Sequence, residues 1–276
     1  MSSRKRLAVS KKWKKRLLIH PLICLLCAIA AGFIYYAFEG VGWLILIFDR
    51  ADRTDMMQAE TYTDPNGLVL PYRIYVPESG GAEEPYPLVL FLHGSGERGS
   101  DNRAQTGKNG VMQTLLSEEN RAEYPCVVLA PQCPEEQWWS DAGVPAALMG
   151  LLERTKTRHP IDPARVYITG LSMGGFGTWS MLAAYPDYFA AAIPVCGGGA
   201  PEQAPLFHEM PIWVFHGSKD KIVNPQDSRD MVKALEEAGA KEVKYTEYPT
   251  EGHQSWEKAW REINLFPWLF SQSKTD

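Results

Sequence analysis

Cysteine is scarce, five in 276 residues. Cys24 and Cys27 lie in an apolar leader, and the body keeps Cys126, Cys133 and Cys196, an odd number with no Cys-x-x-Cys pair and no zinc-type spacing. This excludes a zinc ribbon and leaves a Cys126–Cys133 bridge conceivable but unsupported; buried small hydrophobes are the expected role of these thiols. Acidic residues are missing from the first sixteen positions, where Arg4, Lys5, Arg6, Lys11, Lys12, Lys14, Lys15 and Arg16 carry +8. The whole chain carries −5, which leaves −13 for the remainder. So acidic a body argues against nucleic acid as partner, because phosphate binding needs a positive surface. There is no internal repeat and no low-complexity segment.

The chain does have a long apolar run near its start. Leu17 to Phe38 is apolar apart from His20, and Val41 to Phe48 continues it after Glu39-Gly40. A bilayer span needs about 20 such residues. With the basic residues before it, this predicts a cytoplasmic leader (1–16), a membrane anchor (17–48), a polar linker (49–60) and an exported catalytic domain (61–276). The rival is a cleaved signal sequence, since Ala28-Ile29-Ala30 resembles a cleavage site. The anchor is favoured because the apolar run continues well past that point, and a mature N-terminus near Ala31 would overturn it.

The body alternates strand and helix patterns. Tyr62-Thr63 and Leu68 to Val76 flank an Asp64-Pro65-Asn66-Gly67 turn and read as an antiparallel edge hairpin. Leu88 to Leu92, Cys126 to Ala130, Val166 to Leu171, Ala190 to Val195 and Ile212 to Phe215 are short continuous apolar runs, as in strands buried on both faces. Val243 to Tyr248 reads as the last strand. Helices are expected over Val144 to Thr157, from the elbow to Tyr185, from Gln226 to Ala238 and from Ser255 to about Phe270. The fold class is α/β, with a mostly parallel sheet covered by helices on both faces. Chemistry in such sheets gathers at the carboxyl ends of the strands.

One of those ends carries Gly170-Leu171-Ser172-Met173-Gly174 between a strand and a helix, the nucleophile-elbow pattern. A serine hydroxyl is a poor nucleophile and needs a base, which in turn needs an orienting acid. On this architecture they follow in the order Ser, Asp or Glu, His. Asp220 follows the strand ending at Phe215, and His253 directly follows the last strand, so both stand where strand ends deliver them. Asp227 falls in the next helix and Asp187 at a helix exit. Among the other histidines, His20 lies in the leader, His159 at a helix end and His208 in a connection, while His93 and His216 each precede a glycine and read as turn-shaping residues. The oxyanion of acyl transfer needs two backbone donors: Met173 N–H, and one from the His93-Gly94 loop, Ser95 with Gly96 as runner-up.

Taken together, His93-Gly-Ser-Gly-Glu-Arg-Gly, Ala130-Pro-Gln-Cys-Pro with Trp138-Trp139, Gly170-Leu-Ser-Met-Gly-Gly-Phe-Gly-Thr-Trp, Tyr185-Pro-Asp and Cys196-Gly-Gly-Gly resemble the α/β-hydrolase superfamily. Within it they resemble the carboxylesterase, phospholipase and predicted-peptidase group related to dienelactone hydrolases and polysaccharide-linked esterases. The resemblance covers most of Tyr62 to Phe270 and implies serine hydrolase chemistry on Ser172, Asp220 and His253, with no cofactor and no metal. The expected substrate is a small-molecule or polymer-linked ester; a peptidase with the same triad and a non-catalytic binding protein on this scaffold are the alternatives. Only Cys196 to Pro211 stands where many relatives insert a lid, so an open site is expected. Trp138, Trp139 and Trp256 are candidates for a substrate platform, against simple packing as the competing role. Glu97 and Arg98 are candidates for an ion pair within their loop.

Overall fold

The computed structural model describes residues 52–78, 85–107 and 109–274. The basic leader, the apolar segment and the expected membrane crossing lie outside the described residues. Among the described residues, no helix is long and apolar enough to cross a membrane. In chain order the elements are β1 (Gln58–Thr63), β2 (Val69–Tyr75), β3 (Tyr86–Leu92), α1 (Ala104–Gly107), α2 (Val111–Leu115), α3 (Glu118–Glu123), β4 (Val127–Pro131), α4 (Val144–Arg158), β5 (Ile161–Leu171), α5 (Met173–Ala184), β6 (Ala191–Val195), β7 (Ile212–Gly217), α6 (Pro225–Glu237), β8 (Val243–Tyr248), α7 (Trp256–Ala259) and α8 (Leu265–Phe270).

The apolar run of β3 explains the layering. Successive strand residues point to opposite faces, and Leu88, Leu90 and Leu92 enter one core while Val89 and Phe91 enter the other. The first core is closed by α4, α5 and α6 through Leu148, Leu152, Leu182 and Met231. The second is closed by α2, α7 and α8 through Met112, Ala259, Phe266 and Leu269. A strand buried on both sides has no polar face to alternate, hence the uninterrupted apolar runs.

Among the described residues the strands form one sheet in the order β1-β2-β4-β3-β5-β6-β7-β8. From β4 to β8 all neighbours are parallel, with Val89 opposite Val128 and Leu90 opposite Ile168. The β1–β2 hairpin lies antiparallel at the edge, as its alternating sequence predicts. All parallel strands therefore point their carboxyl ends the same way, toward the residues after Leu92, Leu171, Val195, Gly217 and Tyr248.

Three expectations change. Residues 52–60, read as linker, fold against the sheet: β1 starts at Gln58, Thr54 Oγ1 bonds Thr106 Oγ1 at 2.8 Å, and Arg73 Nη1 donates to Met57 O at 3.0 Å. Their polarity reflects an exposed edge strand with one side in water. The C-terminal helix is two short helices, because a continuous one would drive the Pro267 ring into the carbonyl of Ile263; restarting at Leu265 puts Pro267 in a first turn, where its missing N–H costs nothing. A Cys126–Cys133 bridge is excluded, since both thiols are free and belong to opposite cores.

Candidate active site

The turn after β5 is built by close approach. Ser172 adopts φ 54° and ψ −116°, a left-handed conformation that a side chain rarely takes. Gly170 and Gly174 permit it: a Cβ on Gly170 would collide with the Gly174 carbonyl, and one on Gly174 with the carbonyl of Leu92 in β3. Ser172 N–H donates to Val195 O at 3.0 Å, tying the turn to β6, and its own carbonyl accepts Phe176 N–H at 3.1 Å to start α5. The serine is thereby raised above the strand ends with its hydroxyl outward.

The segment after β8 brings His253 to that hydroxyl. Nε2 lies 2.9 Å from Ser172 Oγ and Nδ1 lies 2.7 Å from Asp220 Oδ2. Asp220 comes from the turn after β7 and its side chain is sealed from solvent. Burial pushes its carboxyl up, but hydrogen bonds from His253 and from the backbone N–H groups of Ile222 and Val223 outweigh it and hold the group below the usual carboxylate range. An imidazole held by a carboxylate on one nitrogen has its other nitrogen fixed as an acceptor for the hydroxyl proton. The three residues named from chain order are thus brought into one hydrogen-bonded line.

The loop after β3 lies alongside. A methyl at Gly94 would sit 3.7 Å from Ser172 Cβ. His93 is fully buried and fixes this loop: Nδ1 faces Gly94 O at 2.6 Å, and Nε2 accepts Cys133 N–H at 2.9 Å, so the proton is on Nδ1. Burial lowers His93 to about 4, which keeps it neutral. The turn-shaping role read for it from sequence fits. Ser95 opens the turn at the exposed surface, and its carbonyl accepts Arg98 Nε at 3.1 Å. Met173 is the first residue of α5, where N–H groups have no partner within the helix.

The tryptophans divide. Trp138 is 44 % exposed, with the Arg98 guanidinium 5.9 Å from its ring, and stands at the rim beside the Ser95 turn. Trp139 is not a platform: it is fully buried in the first core, and its Nε1 donates to His93 O at 2.9 Å. Trp256 is half-buried, edge-on to the His253 ring at 5.3 Å, and packs on the second core. The Glu97–Arg98 pair is also corrected. Arg98 turns out over Trp138, while Glu97 turns inward, where burial raises its carboxyl and Oε2 has no hydrogen-bond partner.

Two residues at the site carry more than the sequence suggested. Cys196 adopts φ 41° after β6, and its thiol, Asp220 and His253 present ligand-type atoms within 4.8 Å of one another. Both His253 nitrogens and the Asp220 carboxylate are engaged with each other or with Ser172, and burial pushes the Cys196 thiol up to about 12, so this set suits a hydrogen-bonded line better than a metal. His216 is fully buried and reaches Asp220 with Nε2 at 3.2 Å. The spacing of His216 and Asp220 across one strand-end turn was the available signal.

A groove of about 430 Å³ starts one helical turn from the serine. Its floor is Phe176, Ser180 and Ala184, which fall every fourth residue of α5 and line it from one side of that helix. Gly198 to Ala200 and Gln203 form one wall, and Ser140 stands opposite. No charged side chain lines it.

Residues 135–260 match the model of the Dienelactone hydrolase family. A solved structure described as a thermostable esterase superposes with TM-score 0.76 at 38% identity, covering 80% of this chain and 64% of that one. Poly(3-hydroxyalkanoate) depolymerase C of Paucimonas lemoignei is 48% identical over 56 residues, 20% of this chain and 14% of that protein. Probable feruloyl esterase C of Aspergillus terreus is 28% identical over 128 residues, 46% of each. The chain therefore spans less than two thirds of the length of each of these three relatives. The mostly parallel sheet with helices on both faces is consistent with the α/β-hydrolase fold, and the stretch similar to the dienelactone hydrolase family runs on it from the loop after β4 to the end of α7.

Proposed function

We propose that this protein is a serine esterase that cleaves carboxylic esters through an acyl-enzyme. The observation that carries the reading is the bridging imidazole, with His253 Nε2 2.9 Å from Ser172 Oγ and Nδ1 2.7 Å from Asp220 Oδ2. Ser172 Oγ attacks the ester carbonyl while its proton passes to His253 Nε2, and ionised Asp220 holds the imidazolium that forms. The oxyanion takes hydrogen bonds from Met173 N–H and Ser95 N–H. Collapse expels the alcohol, which takes the proton from His253. Water then repeats the sequence on the acyl-enzyme and releases the acid.

The substrate we propose is an ester borne on a neutral sugar chain. The groove supports this: it begins one turn beyond the serine and follows α5 for roughly 12 Å from Phe176 to Ala184 at 1.5 Å per residue, it is uncharged, and it offers an aromatic face with hydroxyl and amide groups. The named relatives include Probable feruloyl esterase C and Poly(3-hydroxyalkanoate) depolymerase C. Because relatives are esterases, a peptidase is the weaker reading. We further propose that the catalytic unit works outside the cytoplasm, held by its leader or released from it; N-terminal sequencing of mature protein separates the two.

The test is labelling by a fluorophosphonate probe together with turnover of p-nitrophenyl acetate, acetylated xylo-oligosaccharides, feruloylated sugars, hydroxyalkanoate oligomers and a peptide library. The reading expects labelling and preference for the sugar esters. No labelling would indicate a binding protein, and faster cleavage of peptides would indicate a peptidase.

A further inference from the structure

His216 ends β7 with no exposed surface and makes every one of its polar contacts inside the domain. Its Nε2 faces two acceptors, Asp220 Oδ2 at 3.2 Å and Val223 O at 3.3 Å. Its Nδ1 faces Ser228 Oγ of α6 at 2.8 Å, and that hydroxyl also lies 2.9 Å from Gly197 O. The proton inventory follows from the partners. A carboxylate and a carbonyl accept only, so the ring proton must be on Nε2. Ser228 then completes the set by rotating its single O–H, toward Nδ1 when the ring is neutral and toward Gly197 O when Nδ1 is protonated. In both charge states Nε2–H keeps donating to Asp220.

Asp220 thus receives four hydrogen bonds: Ile222 N–H at 2.8 Å and Val223 N–H at 3.0 Å on Oδ1, and His253 Nδ1–H at 2.7 Å and His216 Nε2–H at 3.2 Å on Oδ2. Three of the donors stand on the same turn or the strand that feeds it, and His253 arrives from a different element. We infer that His216 is a positioning residue, which clamps Asp220 Oδ2 toward His253 and withdraws part of the carboxylate's charge from it. This rests on the reading of Ser172, His253 and Asp220 as a working triad. The groups facing His216 are Asp220 on its own turn, Ser228 of α6, His253 from the segment after β8 and Glu247 of β8, the last paired with Arg229 at 2.6 Å. Burial holds His216 below the usual histidine range, so the neutral Nε2–H form is the one present at neutral pH.

His216→Phe removes the donor and keeps the bulk, whereas His216→Gln returns an N–H near the place of Nε2. Without the donor Asp220 turns more freely and directs more charge at His253, favouring its protonated form. On p-nitrophenyl acetate, His216→Phe is expected to lose about 10- to 100-fold in kcat with KM within about twofold, the scale of a small misplacement of a catalytic group. The acid limb of its kcat/KM profile moves to higher pH, and His216→Gln recovers most of both. Ser228→Ala, which spares the Asp220 contact, stays within about threefold.

An activity-independent readout is the low-field proton NMR signal of His253 Nδ1–H. It is expected to shift or broaden in His216→Phe and to return in His216→Gln. A wild-type pH profile and an unmoved NMR signal in His216→Phe, or a glutamine variant no better than phenylalanine, would overturn the inference. Should His216→Phe not fold, His216→Asn takes its place, because its shorter amide reaches Ser228 but not Asp220: the acid limb must move in it and stay in His216→Gln, and an unmoved limb in His216→Asn overturns the inference. A wild-type protein that neither turns over esters nor takes the fluorophosphonate sinks the proposed function instead, and leaves the NMR comparison to judge the clamp.

Discussion

The indole N–H of Trp139 donates to the carbonyl oxygen of His93 at 2.9 Å, joining the loop after β4 to the loop beside Ser172. Its neighbour Trp138 makes no such bond and is 44 % exposed. Trp139→Phe is therefore expected to cost about 1–3 kcal/mol by leaving a buried carbonyl unpaired, and Trp139→Ala about 3–5 kcal/mol by opening the core. Trp138→Ala is expected to stay within about 0.5 kcal/mol of wild type and to raise KM for long substrates only. Urea unfolding of the three variants checks the ranking.

His93 sets a pH dependence of stability. Its proton affinity is lowered to about 4 by burial, against an ordinary value near 6.5. Between these values the unfolded chain binds more protons than the folded one, so stability rises with pH. The contribution is fully present above pH 6.5 and is lost progressively as pH falls to about 4, on the order of 3 kcal/mol in all. In melting curves from pH 7 to 4, His93→Asn is expected to start lower and to show a shallower decline than wild type.

The elbow glycines are required by space. Gly170→Ala and Gly174→Ala put a methyl into backbone carbonyl groups of Gly174 and Leu92. Each is expected to destabilise by about 1–3 kcal/mol or more and to abolish activity by displacing Ser172. Gly96→Ala meets nothing within 4 Å and is the neutral control. Melting temperature and ester turnover, read together, separate the two cases.

Asp220→Asn keeps an acceptor for the Ile222 and Val223 N–H groups but gives His253 no reason to keep its proton on Nδ1. The wrong tautomer then presents N–H to Ser172. A fall in kcat of about 10³–10⁴-fold is expected, with KM little changed, fluorophosphonate labelling slowed in proportion, and a lowered melting temperature because the amide nitrogen now faces His216 Nε2–H in the buried site.

The parallel strands and the chain order of Ser172, Asp220 and His253 were legible because each rests on local chemistry: apolar runs of strand length, a turn demanding small residues, and polar residues just past strand ends. What escaped depended on contacts distant in sequence. Trp138 and Trp139 are identical in type, and only the position of His93 distinguishes rim from core. His216 had a nearby carboxylate as a clue, whereas Ser228 twelve residues on had none. The break before Leu265 was written in Pro267, whose clash falls four residues earlier than the proline itself. Glu97 and Arg98 looked like a pair because they are adjacent, yet the short helical turn over Ser95–Glu97 sends them to opposite sides.

The most direct test of the account is Ser172→Ala, assayed for turnover of p-nitrophenyl acetate and for covalent labelling by a fluorophosphonate, with circular dichroism to check the fold. The account predicts a wild-type spectrum, no labelling and kcat/KM reduced by about 10⁴-fold or more. A folded variant that keeps wild-type turnover would contradict it, and the nucleophile would have to be sought elsewhere.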